Sequence, residues 1–242
     1  MKLSNSKILV TGANRGIGRA LVEEALARGV STVYAGARDP ASLADLAARS
    51  GGRVVPLALD LLHPEALAAT AAQVGSLDLV VNNAGLLSSA SLLAGSLEAV
   101  ERDMATNFWG TLAVTRAFLP ALERSGTGSA VANVLTVVAL ASMPALGGYS
   151  ASKAAAFSLT QALRGELGKK GISVHAVFPG PVDTEMSKAI TLPKTAPAEV
   201  ARAILDGIEA GEEDIFPDAM ARQVGLAWSG APKSVEKMFA GM

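Results

Sequence analysis

Hydrophobic positions along the chain fall into short uniform runs that alternate with longer segments of helical periodicity. The runs show no polar alternation, which is typical of strands buried on both faces of a parallel sheet. We therefore predict strands over residues 8–10, 32–37, 54–59, 77–81, 130–135 and 173–178, and a short edge strand over 214–216.

The intervening segments predict helices that begin near Asp39-Pro40 and at Pro64, and helices over 17–28, 97–122, 149–169 and 198–210. Gly29 is placed to end the first helix, and Asp39 is placed to cap the second. Strict alternation of strand and helix predicts an α/β fold with a doubly wound parallel sheet, a three-layer sandwich of the Rossmann type.

The chain of 242 residues shows no internal repeat and no linker rich in proline or serine, so we predict a single domain over 1–242. Within it, residues 217–242 are expected to be less regular. Residues from about 186 to 242 are expected to form a flap on the substrate side and the C-terminal segment.

Composition removes several classes of function. The chain is 50% hydrophobic, which supports a large core, and it has no cysteine, which excludes disulfides, thiolate metal sites and cysteine nucleophiles. Only 2 histidines are present and they are isolated, so no metal site is expected. A net charge of -1 gives no electrostatic reason to expect nucleic acid or an anionic membrane as partner.

The longest stretch without a charged residue, between Arg124 and Lys153, is the one candidate for a membrane span. Its strongly apolar part, 130–141, is interrupted by Asn133 and Thr136, whereas a span needs about 20 apolar residues. The polar N-terminus also lacks the pattern of an export signal. We therefore expect a cytoplasmic protein with no membrane association, and the low charged fraction of 18% favours a homo-oligomer.

A glycine-rich turn lies between the first strand and the first helix. Gly12, Gly16 and Gly18 have the spacing Gly-x-x-x-Gly-x-Gly, which suits a tight turn, a close approach to a pyrophosphate and a helix N-terminus aimed at the anion. Such a turn can also be purely structural. The sequence of a phosphate-binding P-loop is absent, which excludes a P-loop phosphotransferase.

The end of the second strand is where the ribose of a dinucleotide is read. Asp39 could bind a 2′-hydroxyl there, but Pro40 after it makes a helix cap the better interpretation. Arg15 and Arg38 could converge on a 2′-phosphate, with Ala37 in place of a selective acid. This pattern favours NADP(H) over NAD(H).

Tyr149 and Lys153 lie four residues apart at the start of a predicted helix, so they share one face. An ammonium beside a phenol favours the phenolate and lowers its pKa from about 10 toward neutrality. Such a tyrosine could exchange a proton with a carbonyl or alcohol oxygen. The Tyr-x-x-x-Lys spacing alone is common and carries little weight.

Taken together, the motifs resemble the short-chain dehydrogenase/reductase family in its compact single-domain branch. They are TGANRGIG at 11–18, Asp60, NNAG at 82–85, Asn107, YSASK at 149–153, and Pro179-Gly180 followed by Val182 and Thr184. Their order and spacing match the family over residues 7 to about 190.

The resemblance implies an NADPH-dependent carbonyl reductase. Tyr149 would be the general acid/base, Lys153 would bind the nicotinamide ribose and lower the pKa of the tyrosine, and Asn107 would hold a water of the proton relay. The family usually has a serine 13 residues before the tyrosine; here Thr136 keeps the hydroxyl and adds a methyl group. The long helices 97–122 and 149–169 would pack across a two-fold axis into a dimer or tetramer.

The cofactor site implied by the resemblance includes Asp60 at the adenine amino group, Asn83 to Gly85 at the adenosine ribose side, and Val182 and Thr184 at the nicotinamide amide or the phosphates. The full set of expected cofactor residues is Gly12, Asn14, Arg15, Gly16, Ile17, Gly18, Arg38, Asp60, Leu61, Asn83, Ala84, Gly85, Tyr149, Lys153, Pro179, Gly180, Val182 and Thr184.

Three alternatives remain open. Residues 148–152 nearly match the G-x-S-x-G of serine hydrolases but end in Ser152, and His175, the only plausible base downstream of them, lies in an apolar run. A catalytically weak NADP-binding protein, or a dehydratase or epimerase on the same scaffold, is also compatible.

The residues expected to flank the substrate carry no charge, which favours a neutral, fairly apolar ketone or aldehyde. They are Leu87, Leu140, Met143, Leu146, Met186 and Ile190.

Overall fold

A computed structural model describes residues 1–88, 92–126 and 128–241. In this part of the chain, seven strands form one parallel sheet in the order β3-β2-β1-β4-β5-β6-β7. Their bounds are β1 Lys7–Thr11, β2 Thr32–Ala37, β3 Val54–Ala58, β4 Leu79–Asn82, β5 Ala130–Val134, β6 Ser173–Val177 and β7 Asp214–Ile215. The predicted doubly wound α/β sandwich is confirmed.

Helices follow the strands and cover both faces of the sheet. Their bounds are α1 Gly16–Ala27, α2 Ala44–Arg49, α3 Pro64–Ala71, α4 Leu97–Met104, α5 Thr111–Ser125, α6 Gly147–Gly168, α7 Pro197–Ala210, α8 Ala219–Gly230 and α9 Pro232–Ala240. One face of the sheet is packed by α1 and α7 through residues such as Leu21 and Ile204, and the other by α3, α5 and α6 through Leu67, Phe118 and Leu163.

The sheet order reverses direction at β1, because β2 and β3 lie on one side of it and β4 to β7 on the other. At such a switch point the loops after neighbouring strands diverge and leave a crevice at the carboxyl edge of the sheet. The candidate site lies along this edge.

The structure differs from the predicted helix 97–122 at its centre. Between α4 and α5 the chain forms a π-helical segment, Ala105–Gly110, that contains Asn107. The apolar periodicity of the sequence persists through this segment, so it gave no sign of the wider turn. The helix near Asp39 begins as a short 3₁₀ turn, Pro40–Leu43, and the Asp39 carboxylate accepts a hydrogen bond from the N–H of Ala41 at 3.0 Å, as the capping interpretation requires.

The prediction that 217–242 are less regular is wrong for the described residues, because α8 and α9 occupy most of this segment. Ala221, Val224, Val235 and Phe239 are buried in one apolar cluster, in which α9 packs on α8 and α8 packs on the turn after β5. These positions have helical spacing, but small and polar residues between them weaken the signal.

The apolar stretch 130–141 is β5 followed by a 3₁₀ turn, Val137–Ala139. Among the described helices, none combines the length and the apolar character that crossing a membrane requires.

Candidate active site

The glycine-rich turn joins β1 to α1 at the crevice. Gly16 has φ +54°, a conformation that side chains disfavour, and a Cβ on Gly18 would overlap the carbonyl oxygen of Gly12. At the start of α1, Arg15 occupies the cap position, and no described side chain caps the first N–H groups. The turn therefore presents free backbone donors where a diphosphate would lie.

Thr184 lies across the crevice from this turn. A Cβ on Gly16 would be 3.1 Å from Thr184 Cγ2, so the segment after β6 closes against the glycines. The Thr184 side chain and that of Ser187 form a capping box for residues Glu185–Ser187. Val182 pairs with Thr195 in an isolated β-bridge that supports this segment.

Hydrogen bonds of the Thr11 and Asn83 side chains connect the glycine-rich turn to the loop after β4. The Thr11 hydroxyl oxygen accepts hydrogen bonds from the N–H groups of Asn83, at 3.0 Å, and Ala84, at 2.9 Å. The Asn83 amide donates to the carbonyl oxygens of Thr11, at 2.9 Å, and Gly12, at 3.3 Å. The side chain of Asn83 thus holds the turn in shape, and Thr11 is a functional position that the sequence reasoning missed, although it directly precedes the first glycine.

The predicted adenine end contains Asp60 and Leu61. Asp60 Oδ1 accepts a hydrogen bond from the N–H of Leu62 at 3.1 Å, so this carboxylate shapes its own turn. Leu61 packs against Gly110, where a Cβ would be 2.9 Å from the Leu61 side chain. The contact of Asp60 with adenine stays a prediction.

Arg15 and Arg38 are both exposed, and neither forms an ion pair with a described residue. Ala37, in the position of a selective acid, is buried. The nearby Arg19 differs, because it pairs with Glu23 and Asp45. Arg15 and Arg38 therefore keep their charge available, and their contact with a ribose 2′-phosphate stays a prediction.

Tyr149 and Lys153 lie in the first turns of α6, and both are buried. Lys153 Nζ donates a 2.8 Å hydrogen bond to the carbonyl oxygen of Val134 at the end of β5, and it lies 5.9 Å from the centroid of the Tyr149 ring. A Cβ on Gly85 would be 3.4 Å from Lys153 Nζ and 3.1 Å from Asn107 Oδ1. The structure thus brings Lys153, Asn107 and the NNAG loop together beside the tyrosine.

Asn107 is fully buried and uses its whole amide. Its Oδ1 accepts from the N–H of Leu86 at 2.9 Å, and its Nδ2 donates to the carbonyl oxygen of Leu86 at 2.8 Å and to the hydroxyl of Ser152 at 2.9 Å. The Ser152 hydroxyl in turn donates to the carbonyl oxygen of Tyr149 at 2.7 Å. Asn107 therefore connects α6 to the described loop residues Leu86 to Ser88, which we call the pocket loop. Ser152 is a positioning residue that the sequence reasoning missed inside the YSASK motif.

Thr136 follows β5 and caps the short turn Val137–Ala139. Its hydroxyl oxygen accepts a long hydrogen bond, 3.4 Å, from the N–H of Val138. The hydroxyl proton has no acceptor among the described residues, so it can donate to a ligand oxygen.

Burial controls the charge states of the pair. It raises the pKa of Tyr149 well above its usual range, and the Asp103 carboxylate raises it further. Burial lowers the pKa of Lys153 to about 8, against the opposing effect of Asp103. The structure therefore differs from the expected lowering of the tyrosine pKa by Lys153, because the loss of solvation on burial disfavours the phenolate and the charge of Asp103 adds to this effect.

Asp103 is a third position that the sequence reasoning missed. It lies one turn before Asn107 on α4, is fully buried, and its Oδ1 accepts from the N–H of Ser88 at 3.0 Å. Burial raises the pKa of its carboxyl group, against the opposing effects of Ser88 and of the charges of Arg102 and Lys153. The spacing of four residues from Asn107 is the signal that could have indicated it.

Pro179 and Gly180 lie at the end of β6, where Asp218 holds them. Asp218 Oδ2 accepts from the N–H of Gly180 at 2.8 Å, and its Oδ1 accepts from the N–H of Ala221 at 2.8 Å, which caps α8. The carboxylate thus links the expected nicotinamide side of the site to the C-terminal helices. It was also missed, because this contact joins residues that are far apart in the chain.

Four of the six expected substrate-lining residues pack with Tyr149 around one apolar cluster: Leu87, Leu140, Met143 and Leu146. Met186 is 46% exposed, and Ile190 lies on the segment after Thr184. The wall beside the tyrosine is therefore apolar.

The hydrolase alternative finds no support in this geometry. Ser150 is buried, and its hydroxyl oxygen accepts a 3.4 Å hydrogen bond from the N–H of Met143. His175 lies inside β6 with Nδ1 2.6 Å from the carbonyl oxygen of Glu212, and burial lowers its pKa. Within the described ranges, no group of three or more potential ligands could hold a metal ion.

Comparisons with known proteins identify the family of this chain. A family model described as short chain dehydrogenase matches residues 6–195. An uncharacterized oxidoreductase of Staphylococcus saprophyticus is 35% identical over 195 residues, which cover 77% of this chain and 82% of the relative.

Two further relatives name a reaction or a cofactor. A 2,5-dichloro-2,5-cyclohexadiene-1,4-diol dehydrogenase of Sphingobium indicum is 35% identical over 189 residues, which cover 76% of this chain and 75% of the relative. The crystal structure of a short chain dehydrogenase from Burkholderia cenocepacia in complex with NADP is 37% identical, has a TM-score of 0.92 and covers 99% of both chains.

Proposed function

The chain belongs to the short-chain dehydrogenase family of oxidoreductases, and we propose that it is an NADPH-dependent carbonyl reductase. In this proposal it reversibly reduces a neutral, fairly apolar ketone or aldehyde to an alcohol. The observation that carries the proposal is the buried pair of Tyr149 and Lys153 at the carboxyl edge of the sheet, beside a glycine turn with free backbone donors.

The residues present fit a dinucleotide. A side chain at Gly18 would clash with the carbonyl oxygen of Gly12, so the glycine allows the turn to pack closely on the start of α1. The first N–H groups of α1 have no side-chain cap and are free to bind the diphosphate. Bound NADPH would supply the hydride. Arg15 and Arg38 would hold its 2′-phosphate, Asp60 its adenine, the NNAG loop its ribose, and Pro179 to Thr184 its nicotinamide side.

Within the site, side chains of the protein would protonate and hydrogen-bond the carbonyl oxygen of the substrate. Tyr149 holds its proton because burial raises its pKa, so it can donate that proton to the carbonyl oxygen during reduction. Thr136 would donate a hydrogen bond to the same oxygen, and Lys153 would bind the nicotinamide ribose. The apolar cluster around Leu87, Leu140 and Met143 would exclude water from the pocket.

We include the C-terminal part of the chain in this proposal as a flap. Residues from about 186 to 242 would cover the substrate, because α8 packs on the turn after β5, α9 packs on α8, and Met186 is exposed on the segment after Thr184. The cytoplasmic location stays a prediction.

A panel of neutral ketones and aldehydes, each with NADPH and with NADH, tests the function directly. We expect NADPH consumption with stoichiometric alcohol for apolar carbonyls and little or none for phosphorylated or acidic ones. Tight NADPH binding without turnover of any carbonyl would contradict the proposal and indicate the catalytically weak alternative. Loss of water from the substrate, or its epimerisation, without net cofactor consumption would indicate a dehydratase or an epimerase.

Cofactor choice gives a first specific prediction. Arg38→Ala should lower the preference of kcat/KM for NADPH over NADH by about tenfold or more, because a charge-assisted contact to phosphate is lost. The matched control is Arg49→Ala, another exposed arginine, which is paired with Asp45. An unchanged preference in Arg38→Ala, or a parent enzyme that prefers NADH, would contradict the assignment.

We also propose a homodimer or homotetramer assembled through the helices 97–122 and 149–169. Leu97 and Trp109 are exposed by 74% and 59% on this surface, which is unusual for large apolar side chains. Light scattering at micromolar concentration should give a mass of two or four chains, and Trp109→Glu should lower it. A monomeric parent protein would contradict this prediction.

A further inference from the structure

Asp103 is a buried carboxylate, and an asparagine amide could also accept its hydrogen bond from the N–H of Ser88. The residue is fully buried, and Oδ1 accepts the N–H of Ser88 at 3.0 Å. Oδ2 is buried without a hydrogen-bond partner among the described residues. It points toward the start of α6, because a Cβ on Gly148 would be 3.5 Å from it.

A buried carboxylate is costly unless its charge is compensated, and none of the ion pairs in the described part of the chain includes Asp103. An asparagine at this position could accept the same hydrogen bond from Ser88 without that cost. Anchoring the loop explains the shape of the side chain but leaves its charge without a structural purpose.

The groups around Asp103 give the charge a purpose. The start of α6 lies against Asp103 Oδ2 at Gly148, directly before Tyr149 and five residues before Lys153, and the charge of Asp103 acts on both titratable groups. Arg102 lies beside Asp103 on α4, and Ser88 faces it from the described part of the loop after β4. Two of these titratable groups are the proposed acid and its partner in the reaction. A negative charge near Tyr149 and Lys153 favours the protonated form of each side chain.

We propose that Asp103 is a positioning residue that anchors the pocket loop at Ser88 and whose negative charge keeps Tyr149 and Lys153 protonated. This inference rests on the proposed function, because the protonated pair is the form that reduction of a carbonyl consumes. A neutral Tyr149 donates the proton, and a cationic Lys153 stabilises the charge left behind. The charge of Asp103 therefore biases the site toward reduction over alcohol oxidation.

The loop anchor is shared by two side chains of one helical face. Asn107 holds both backbone groups of Leu86, and Asp103 holds the N–H of Ser88 one turn earlier. Between them lies Leu87, which packs in the cluster around Tyr149. Loss of the Asp103 anchor should loosen this apolar wall without removing the catalytic groups.

The first test measures the charge without using enzyme activity. In protein labelled with ¹³C at the lysine ε-carbons, Lys153 should titrate near 8, and its signal is identified by its absence in Lys153→Arg. Asp103→Asn keeps the acceptor for Ser88 and removes the charge, so the pKa of Lys153 should fall by about one unit. The control is Asp78→Asn, which loses a carboxylate that accepts the N–H of Lys7 at 2.7 Å at the opposite edge of the sheet, and should leave Lys153 unchanged.

Equal titration of Lys153 in Asp103→Asn and the parent would overturn the proposed role of the charge. If the variant does not fold, a second measurement on the parent protein still tests the proposal. With ¹³C at the aspartate γ-carbons, Asp103 should be ionised at pH 7, and a carboxyl group that stays protonated through neutral pH would equally overturn the proposal.

The second test uses a carbonyl substrate found in the panel. Asp103→Asn should move the alkaline loss of reductase activity to lower pH by about one unit, since the pair then gives up its protons more easily. Asp103→Ala should also raise KM about five- to tenfold through the lost anchor, and Asp103→Asn should rescue KM. A pH profile shared by all three proteins would overturn the inference and leave the proposed function intact. A parent that turns over no carbonyl would contradict the proposed function, and the titration of Lys153 would still decide the inference.

Discussion

Tyr149→Phe is expected to lower kcat for carbonyl reduction by about 10²–10⁴-fold, the range that a positioned general acid contributes. The substitution removes only the phenolic hydroxyl. The ring stays available to pack in the apolar cluster around Leu135 and Phe178, so the fold and NADPH binding should be retained.

The chain supplies a matched control for this experiment. It contains 2 tyrosines, and the other, Tyr34, lies in β2 away from α6. Tyr34→Phe should leave kcat unchanged. Steady-state kinetics together with NADPH fluorescence titration separate turnover from binding, and near-parental turnover in Tyr149→Phe would show that another group is the acid.

Thr136→Val should lower kcat by about 10²–10³-fold, comparable to the loss of one donor to a developing oxyanion. The two side chains have nearly the same shape, so the change removes the hydroxyl proton that no described residue accepts. It also removes the cap of the turn Val137–Ala139, but that hydrogen bond is 3.4 Å long and contributes little.

Thr136→Ser serves as the control, because it keeps both the donor and the cap and removes only the methyl group. It should retain activity. A methyl group that points into the pocket would make the serine variant faster on a bulky ketone than on a small one, relative to the parent. Kinetics of both variants on one small and one bulky ketone give the answer, and parental kcat in Thr136→Val would make Thr136 an ordinary strand-end residue.

The fold followed from sequence because its signals are local. Uniform apolar runs mark the strands, and positions such as Gly29 and Asp39 mark the ends of helices. The C-terminal helices were missed because their apolar residues, including Val224 and Phe239, are separated by weakly helical composition and are buried by contacts between α8, α9 and the turn after β5. The π-helical segment around Asn107 was missed because wide turns leave no distinct periodicity.

The candidate site was predictable where residues follow one another closely, as in the glycine turn and the Tyr149–Lys153 pair. It was not predictable where the arrangement depends on the sheet. Asp218 reaches Gly180 only after the chain has added α7 and β7, and Asp103 reaches Ser88 only when α4 packs beside the NNAG loop. The expectation for the Tyr149 pKa failed for the same reason, because burial is set by the whole fold.

We propose that hydride reaches the carbonyl carbon from the nicotinamide while Tyr149 protonates the oxygen. Mass spectrometry of the alcohol formed from NADPH carrying deuterium at one or the other C4 position tests it most directly. We expect one of the two labelled cofactors to place one deuterium on the carbinol carbon, none to enter that carbon from deuterated water, and Tyr149→Phe to give almost no labelled alcohol. Carbinol deuterium from the solvent, or full transfer in Tyr149→Phe, would contradict the account.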